Sequence, residues 1–175
     1  WKSLVGVSAE TGELLWQRPF RGRSDVNAIT PLVSGNTLFV SAADAGLQAI
    51  RIVRQGNTWT TEEAWRTTET YFHLANMVLV NDTIFGLGAD NRNRYVMVDA
   101  KTGAILWGGE PRIADFASVQ QAGNLLIVLE GDGDLLIADA TNRSAFTPIQ
   151  QYKVGTGNTW AAPAISRNRI FVRND

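Results

Sequence analysis

Residues 95–107 read Tyr-Val-Met-Val-Asp-Ala-Lys-Thr-Gly-Ala-Ile-Leu-Trp, and this stretch decides the fold. It reads as strand, tight turn, strand. Val96 and Val98 flank Met97 in a run of strand formers, Thr102-Gly103 breaks the run, and Ile105-Leu106-Trp107 opens a second one. Gly103 can take the positive φ that such a turn often needs, and Asp99 can cap the turn with its side chain. The same pattern runs from Leu4 to Trp16, with Thr11-Gly12 at the turn. Two copies of one hairpin in a short chain point to internal repeats.

A second repeated signal lies between these hairpins. Residues 30–41, 76–87, 118–129 and 162–173 each read as apolar strand, polar turn, apolar strand, turning at Gly35-Asn36, Asn81-Asp82, Gly123-Asn124 and Arg167-Asn168. Aligned on the turn, Leu38, Ile84, Leu126 and Ile170 coincide, as do Phe39, Phe85, Ile127 and Phe171. The turns start at 35, 81, 123 and 167, so the spacings are 46, 42 and 44 residues. The hairpins at 3–20, 46–69, 94–111 and 134–155 interleave with them and close on Trp16, Trp65, Trp107 and, in the fourth, Tyr152. A unit of about four strands in about 44 residues is the size of a β-propeller blade. Inner strands such as Leu38-Phe39-Val40 are apolar on successive residues, which fits blades buried on both faces. No stretch carries a convincing helical period, and the nearest candidate, 61–68, is short and rich in Thr.

The expectation is an all-β chain of four-stranded antiparallel blades, a single propeller domain or part of one over 1–175. Residues 1–20 supply the outer strands of one blade, 27–69, 72–111 and 114–155 form complete blades, and 159–175 supply the inner strands of another. Either the two terminal halves pair and close a four-bladed ring, or the chain is an arc of a larger propeller. We expect the arc. The chain starts at Trp1 and ends just after a strand-like segment, which suggests a processed chain or a piece of a longer one.

Composition narrows the function classes. A chain of 175 residues suffices for one domain with a real core. Hydrophobic residues make up 45% and charged residues 19%, which excludes broad disorder. The 16 Lys and Arg against 17 Asp and Glu leave a formal net charge of −1, so no global basic field exists to attract nucleic acid. No apolar run approaches the roughly 18 residues of a spanning helix, so no membrane-embedded helix is expected. The absence of Cys removes disulfides, thiolate nucleophiles and thiolate metal sites without fixing the compartment.

The turn hairpins resemble the repeat of pyrroloquinoline-quinone-type propellers, which runs Ala-x-Asp-x-x-Thr-Gly-x-x-x-Trp. Asp99, Thr102, Gly103 and Trp107 match it, with Met97 in place of the Ala. Thr11, Gly12 and Trp16 match in the first copy, where Ser8 replaces the Asp and Gly6 the Ala. The copy ending at Trp65 lacks the Thr-Gly turn and carries an insertion around 55–60, and the copy at Asp139 keeps only the Asp. Residues 159–165 resemble the lead-in to an inner strand of such repeats. The resemblance implies a periplasmic or extracellular protein whose repeat Trp docks between blades. The family spans quinone-dependent dehydrogenases, the propeller lipoprotein of outer-membrane protein assembly, and other secreted repeat proteins.

Several constellations bear on function. Gly131-Asp132-Gly133-Asp134 lacks the further spaced oxygens and distal Glu of a Ca²⁺ loop and reads as a hairpin turn. His73 is the only histidine, and no Gly-x-Ser-x-Gly motif surrounds any Ser, so neither a Ser-His-Asp mechanism nor a zinc site is expected. Eight residues ahead of the inner turns lie Asn27, His73, Asp115 and Thr159, followed by Ala28, Leu74, Phe116 and Trp160. In a propeller these lead-ins reach one end of the central channel, which makes Asn27, His73, Asp115, Phe116 and Trp160 candidates for a channel-mouth site. The basic clusters at 51–54 and 91–94 are too local for nucleic acid and read as solvated edges.

The leading expectation is a non-catalytic scaffold for protein partners, without a cofactor. One alternative is a fragment of a quinone-dependent dehydrogenase, which by resemblance would hold the quinone on a Trp floor beside Ca²⁺. This chain lacks the Cys pair often found there, and no acidic residue can be matched to the calcium ligands. Another is a small-molecule or glycan site near His73, Asp115 and Trp160, which exposure of Trp160 would favour.

Overall fold

The computed structural model describes residues 2–90, 93–111, 113–156 and 158–173, with only the backbone given for Ser24. Asn91 and Arg92 of the second basic cluster lie outside the described residues. All pairing is antiparallel. Strands β1 (Ser3–Val7) and β2 (Leu14–Pro19) form a hairpin of their own. Three four-stranded sheets follow in chain order. The first holds β3 (Leu32–Ser34), β4 (Thr37–Ala42), β5 (Gly46–Gln55) and β6 (Thr58–Thr67). The second holds β7 (Met77–Val80), β8 (Thr83–Gly88), β9 (Arg94–Asp99) and β10 (Ile105–Gly108). The third holds β11 (Ala117–Ala122), β12 (Leu125–Glu130), β13 (Asp134–Asp139) and β14 (Pro148–Lys153). A last hairpin pairs β15 (Ala164–Ser166) with β16 (Arg169–Phe171). One 3₁₀ turn at Arg23–Asp25 is the only helical element among the described residues.

The four inner turns are two-residue connections at the expected places, closed by the pairs Ser34–Thr37, Val80–Thr83, Ala122–Leu125 and Ser166–Arg169. Gly35, Asn81, Gly123 and Arg167 all adopt positive φ there, between 45° and 59°. The two terminal hairpins remain separate two-stranded sheets, so among the described residues no sheet closes, and they form an arc rather than a four-bladed ring.

The core lies between sheets rather than within them. Successive residues of a strand point to opposite faces, so each inner strand feeds two apolar layers. Leu38 joins Trp16, Phe20 and Ile50 on one side, while Phe39 joins Trp65, Ile84 and Val98 on the other. Ile84 and Phe85 divide in the same way, as do Leu126 and Ile127. No further sheet among the described residues covers the equivalent pair in β16: Phe171 is 54% exposed, whereas Phe39 is buried.

The repeat aromatics fasten neighbouring sheets. Trp65 Nε1 donates to the Ala100 carbonyl at 2.9 Å, so β6 of the first sheet is tied to the outer turn of the second. The Trp65 ring lies on Gly103, whose φ of 78° already favours glycine. A Cβ at that position would fall 2.6 Å from Trp65 Cε3. Asp99 shapes this turn by accepting from the Lys101 N–H at 3.0 Å and from the Thr102 N–H and hydroxyl at 2.9 and 3.0 Å. Arg143, from the third sheet's outer loop, reaches its other oxygen at 2.9 Å. Burial pushes the Asp99 carboxyl up, but these hydrogen bonds outweigh it and hold the group below the usual carboxylate range.

The first copy of the turn repeats this geometry with a weaker cap. Thr11 N–H donates to Ser8 Oγ at 3.1 Å, and Gly12 N–H to the Ser8 carbonyl at 2.8 Å, as Gly103 N–H does to Asp99. No described atom lies within 4 Å of where a Gly12 Cβ would stand. Gly12→Ala is therefore expected to cost about 1 kcal/mol for the left-handed backbone alone. Gly103→Ala is expected to cost roughly 1–3 kcal/mol more, because the methyl displaces Trp65. Equal losses in urea-unfolding free energy would contradict the docking described here.

Candidate functional site

The four lead-in positions do not act as one set. Asn27 closes the segment before the first sheet: its Oδ1 accepts from the Gly22 N–H at 3.1 Å, and its Nδ2 donates to the Phe20 carbonyl at 3.3 Å. His73 is half-buried, and its Nδ1 is enclosed without a hydrogen-bond partner among the described residues. Thr159 is fully buried and structural. Its N–H donates to the Gly131 carbonyl at 2.9 Å and its hydroxyl to the Glu130 carbonyl at 2.6 Å.

Asp115, Phe116 and Trp160, by contrast, are brought together. They line a cavity of about 440 Å³ between the lead-ins to the third sheet and to the last hairpin, with Glu130, Asp132 and Asn158. Neither Asn27 nor His73 lines it. Gly131 holds the two walls in place, its N–H donating to the Phe116 carbonyl at 2.8 Å while its own carbonyl takes the Thr159 N–H. Phe116 and Trp160 meet with ring centroids 5.3 Å apart at 47°. Trp160 remains 61% exposed, the condition set above for a ligand-facing aromatic.

The Gly131–Asp134 segment is a turn, as read from sequence. Gly133 has φ of 93°, its N–H donates to the Glu130 carbonyl at 3.0 Å, and the Asp134 N–H donates to Asp132 Oδ1 at 3.2 Å. Carboxylate oxygens of Glu130, Asp132 and Asp134 lie within 4.8 Å of one another. The set is a poor cradle for calcium, because the Lys153 ammonium already sits 3.1 Å from Asp132 and 3.3 Å from Asp134.

Glu130 is the residue that sequence reasoning missed. It ends the apolar run of β12 and is buried, and its Oε1 accepts the Tyr95 hydroxyl at 2.6 Å. It also borders a second cavity of about 310 Å³ between the second and third sheets, walled by Tyr95, Trp107 and Phe146. Burial pushes the Glu130 carboxyl up, and the Tyr95 hydrogen bond offsets only part of that. Burial, reinforced by the Glu130 charge, pushes the Tyr95 phenol up as well, so it stays a donor at neutral pH. The one hint in the sequence was a charged residue closing a wholly apolar strand.

A carboxyl with a raised folded-state pKa weakens the fold in full above that pKa; the penalty fades as the pH falls from there towards the unfolded-state value and is gone below it. Glu130→Gln keeps an acceptor for Tyr95 and removes the buried charge. Its melting temperature is therefore expected to exceed the parent's at neutral pH, with the difference shrinking as the pH falls and vanishing below about pH 4.3, the ordinary Glu value. A difference independent of pH in paired thermal melts would contradict a buried Glu130 charge.

A family model described as outer membrane protein assembly factor BamB matches residues 2–175. The crystal structure of BamB from Moraxella catarrhalis superposes with a TM-score of 0.54 at 13% identity, covering 98% of this chain and 64% of that one. The computationally designed Ika4 protein superposes with a TM-score of 0.52 at 13% identity, covering 82% of this chain and 81% of that one. The chain thus spans 64% of the length of the BamB structure it matches. No curated protein matches the chain.

Proposed function

The chain belongs to the family of the outer membrane protein assembly factor BamB, and from that premise we propose that it is a non-catalytic scaffold that docks protein partners in the cell envelope. The structural observation that carries the reading is the β5–β6 hairpin. Both strands are ten residues long, but β4 pairs with β5 only as far as Arg51. The remainder, with Val53 opposite Thr60 and Arg54 opposite Trp59, projects as a two-stranded arm. Four residues of strand reach on the order of 13 Å. The arm is not a loose loop, since Arg54 lies over the Trp59 ring at 5.1 Å. A paired arm carrying an aromatic and a cation, with no third strand paired to it among the described residues, presents the groups that dominate protein interfaces.

The family match supports an envelope position for the chain. A periplasmic or extracellular scaffold acting in outer-membrane protein assembly accords with the printed function of the family. The sequence insertion around 55–60 builds the arm, so the feature least like the repeat is the one assigned to partner contact.

The test replaces residues 53–60 with Asn-Gly, joining the strands by a tight turn. A photo-crosslinking side chain at Trp59 in the parent is expected to capture a defined envelope protein. The shortened form is expected to fold with unchanged stability and to lose that partner in co-purification. Retention of the partner by the shortened form, or turnover of alcohols or sugars with added quinone, would overturn the reading.

A further inference from the structure

We propose that the cavity beside Trp160 binds an organic cation of the guanidinium type, seated against the Phe116–Trp160 wall and paired with the carboxylates of Asp115 and Glu130. Three observations meet there. The first is the aromatic wall: Trp160 keeps most of its surface exposed while its ring rests at 5.3 Å from Phe116. An indole face fixed in this way attracts cations, and guanidinium stacks on it better than ammonium. The second is charge. Asp115, Glu130 and Asp132 line the cavity, and no described Lys or Arg does. Lys153 approaches Asp132 from the turn side and neutralises part of its charge, leaving Asp115 and Glu130 as the principal anions. The third is an open acceptor. Glu130 is more than nine-tenths buried, yet only its Oε1 accepts a hydrogen bond among the described residues, from Tyr95.

A neutral sugar would use the aromatic wall but leave a buried carboxylate without a counter-charge. A simple metal ion would use the carboxylates but not the wall. A planar cation with several N–H donors satisfies both, stacking on Trp160 while pointing N–H groups at Asp115 and Glu130. Asn158 adds a polar side chain at the rim. The cavity wall is stiff, because Gly131 is hydrogen-bonded to Phe116 on one side and to Thr159 on the other. A partly pre-formed pocket limits the ordering cost of binding. This inference does not rest on the scaffold reading, since the cation can belong to a small molecule or to an arginine on a polypeptide.

The experiment titrates the isotope-labelled chain with Nα-acetyl-arginine amide and with its neutral isostere, Nα-acetyl-citrulline amide, following the Trp160 indole N–H and the backbone amides at Glu130 and Asn158. Saturable shifts with the arginine compound, and binding at least about tenfold weaker with citrulline, are expected. Asp115→Asn and Trp160→Ala should each weaken arginine binding about fivefold or more, while the remote Glu10→Gln should not. Both substituted side chains are exposed, so the fold should persist, and unchanged amide spectra away from the cavity check this. A nine-residue peptide with one central arginine distinguishes the sources: tighter binding than the free compound assigns a polypeptide ligand, and equal binding a small molecule. Equal binding of arginine and citrulline compounds, no saturable shift, or indifference to both substitutions would overturn the proposal. Partner capture through the arm requires none of these outcomes, so the two readings fail separately.

Discussion

The structure depends on one kind of contact: an aromatic on the last strand of a sheet packed against the next sheet. Trp65 shows it in full, with its indole N–H on the Ala100 carbonyl and its ring on Gly103. The contact needs three local features at once. The turn must accept a left-handed residue without a side chain, its carbonyl must face the neighbouring sheet, and its acidic cap must hold both in place. Asp99, Thr102 and Gly103 supply these, and Arg143 adds a tie from the following sheet. A single sheet of this type has no core of its own, so register between sheets is the stability of the molecule.

That arrangement explains which surfaces are apolar and bare. The first two sheets are covered on both faces and the third only along its inner strands, and the strand positions that bury Ile84 and Phe85 leave Ile170 and Phe171 exposed in the last hairpin. Tyr152, at the aromatic position of the third sheet, is half exposed because the hairpin beyond it brings no outer strands. The residues that would seal a further blade face are thus present at both extremes of the arc, with Val5, Val7 and Leu14 exposed at the other.

Most of this was legible in the sequence because the repeat is local. Two-residue turns, strand pairs and the Thr-Gly hairpins are set by neighbours in the chain, and their positions agree with the structure. The terminal segments hold complementary halves of a blade, which in the sequence left both a closed ring and an arc open, and the separate terminal hairpins decide for the arc. The site was less legible. Asp115 and Phe116 from one lead-in meet Trp160 from the next, but Asn27 and His73, equivalent to Asp115 in the alignment, line no part of that cavity. The difference lies in contacts distant in sequence. Asn27 turns inward to the Phe20 carbonyl, and Glu130 enters the site only because Gly131 bridges Phe116 and Thr159. Periodicity fixes where a lead-in begins and says nothing about which side chain its neighbour will accept.

The central claim is that Trp65 and the Asp99 turn act as one unit, and a double-mutant cycle measures it. Trp65→Ala is expected to cost about 3 kcal/mol through lost packing and hydrogen bonding. Asp99→Ala is expected to cost about 1–2 kcal/mol through the lost turn hydrogen bonds. Because either change removes the surface the other relies on, the double variant should fall short of their sum by about 1 kcal/mol or more. Losses that add to within about 0.3 kcal/mol would show that Trp65 and the turn stabilise the molecule independently, and would contradict the account.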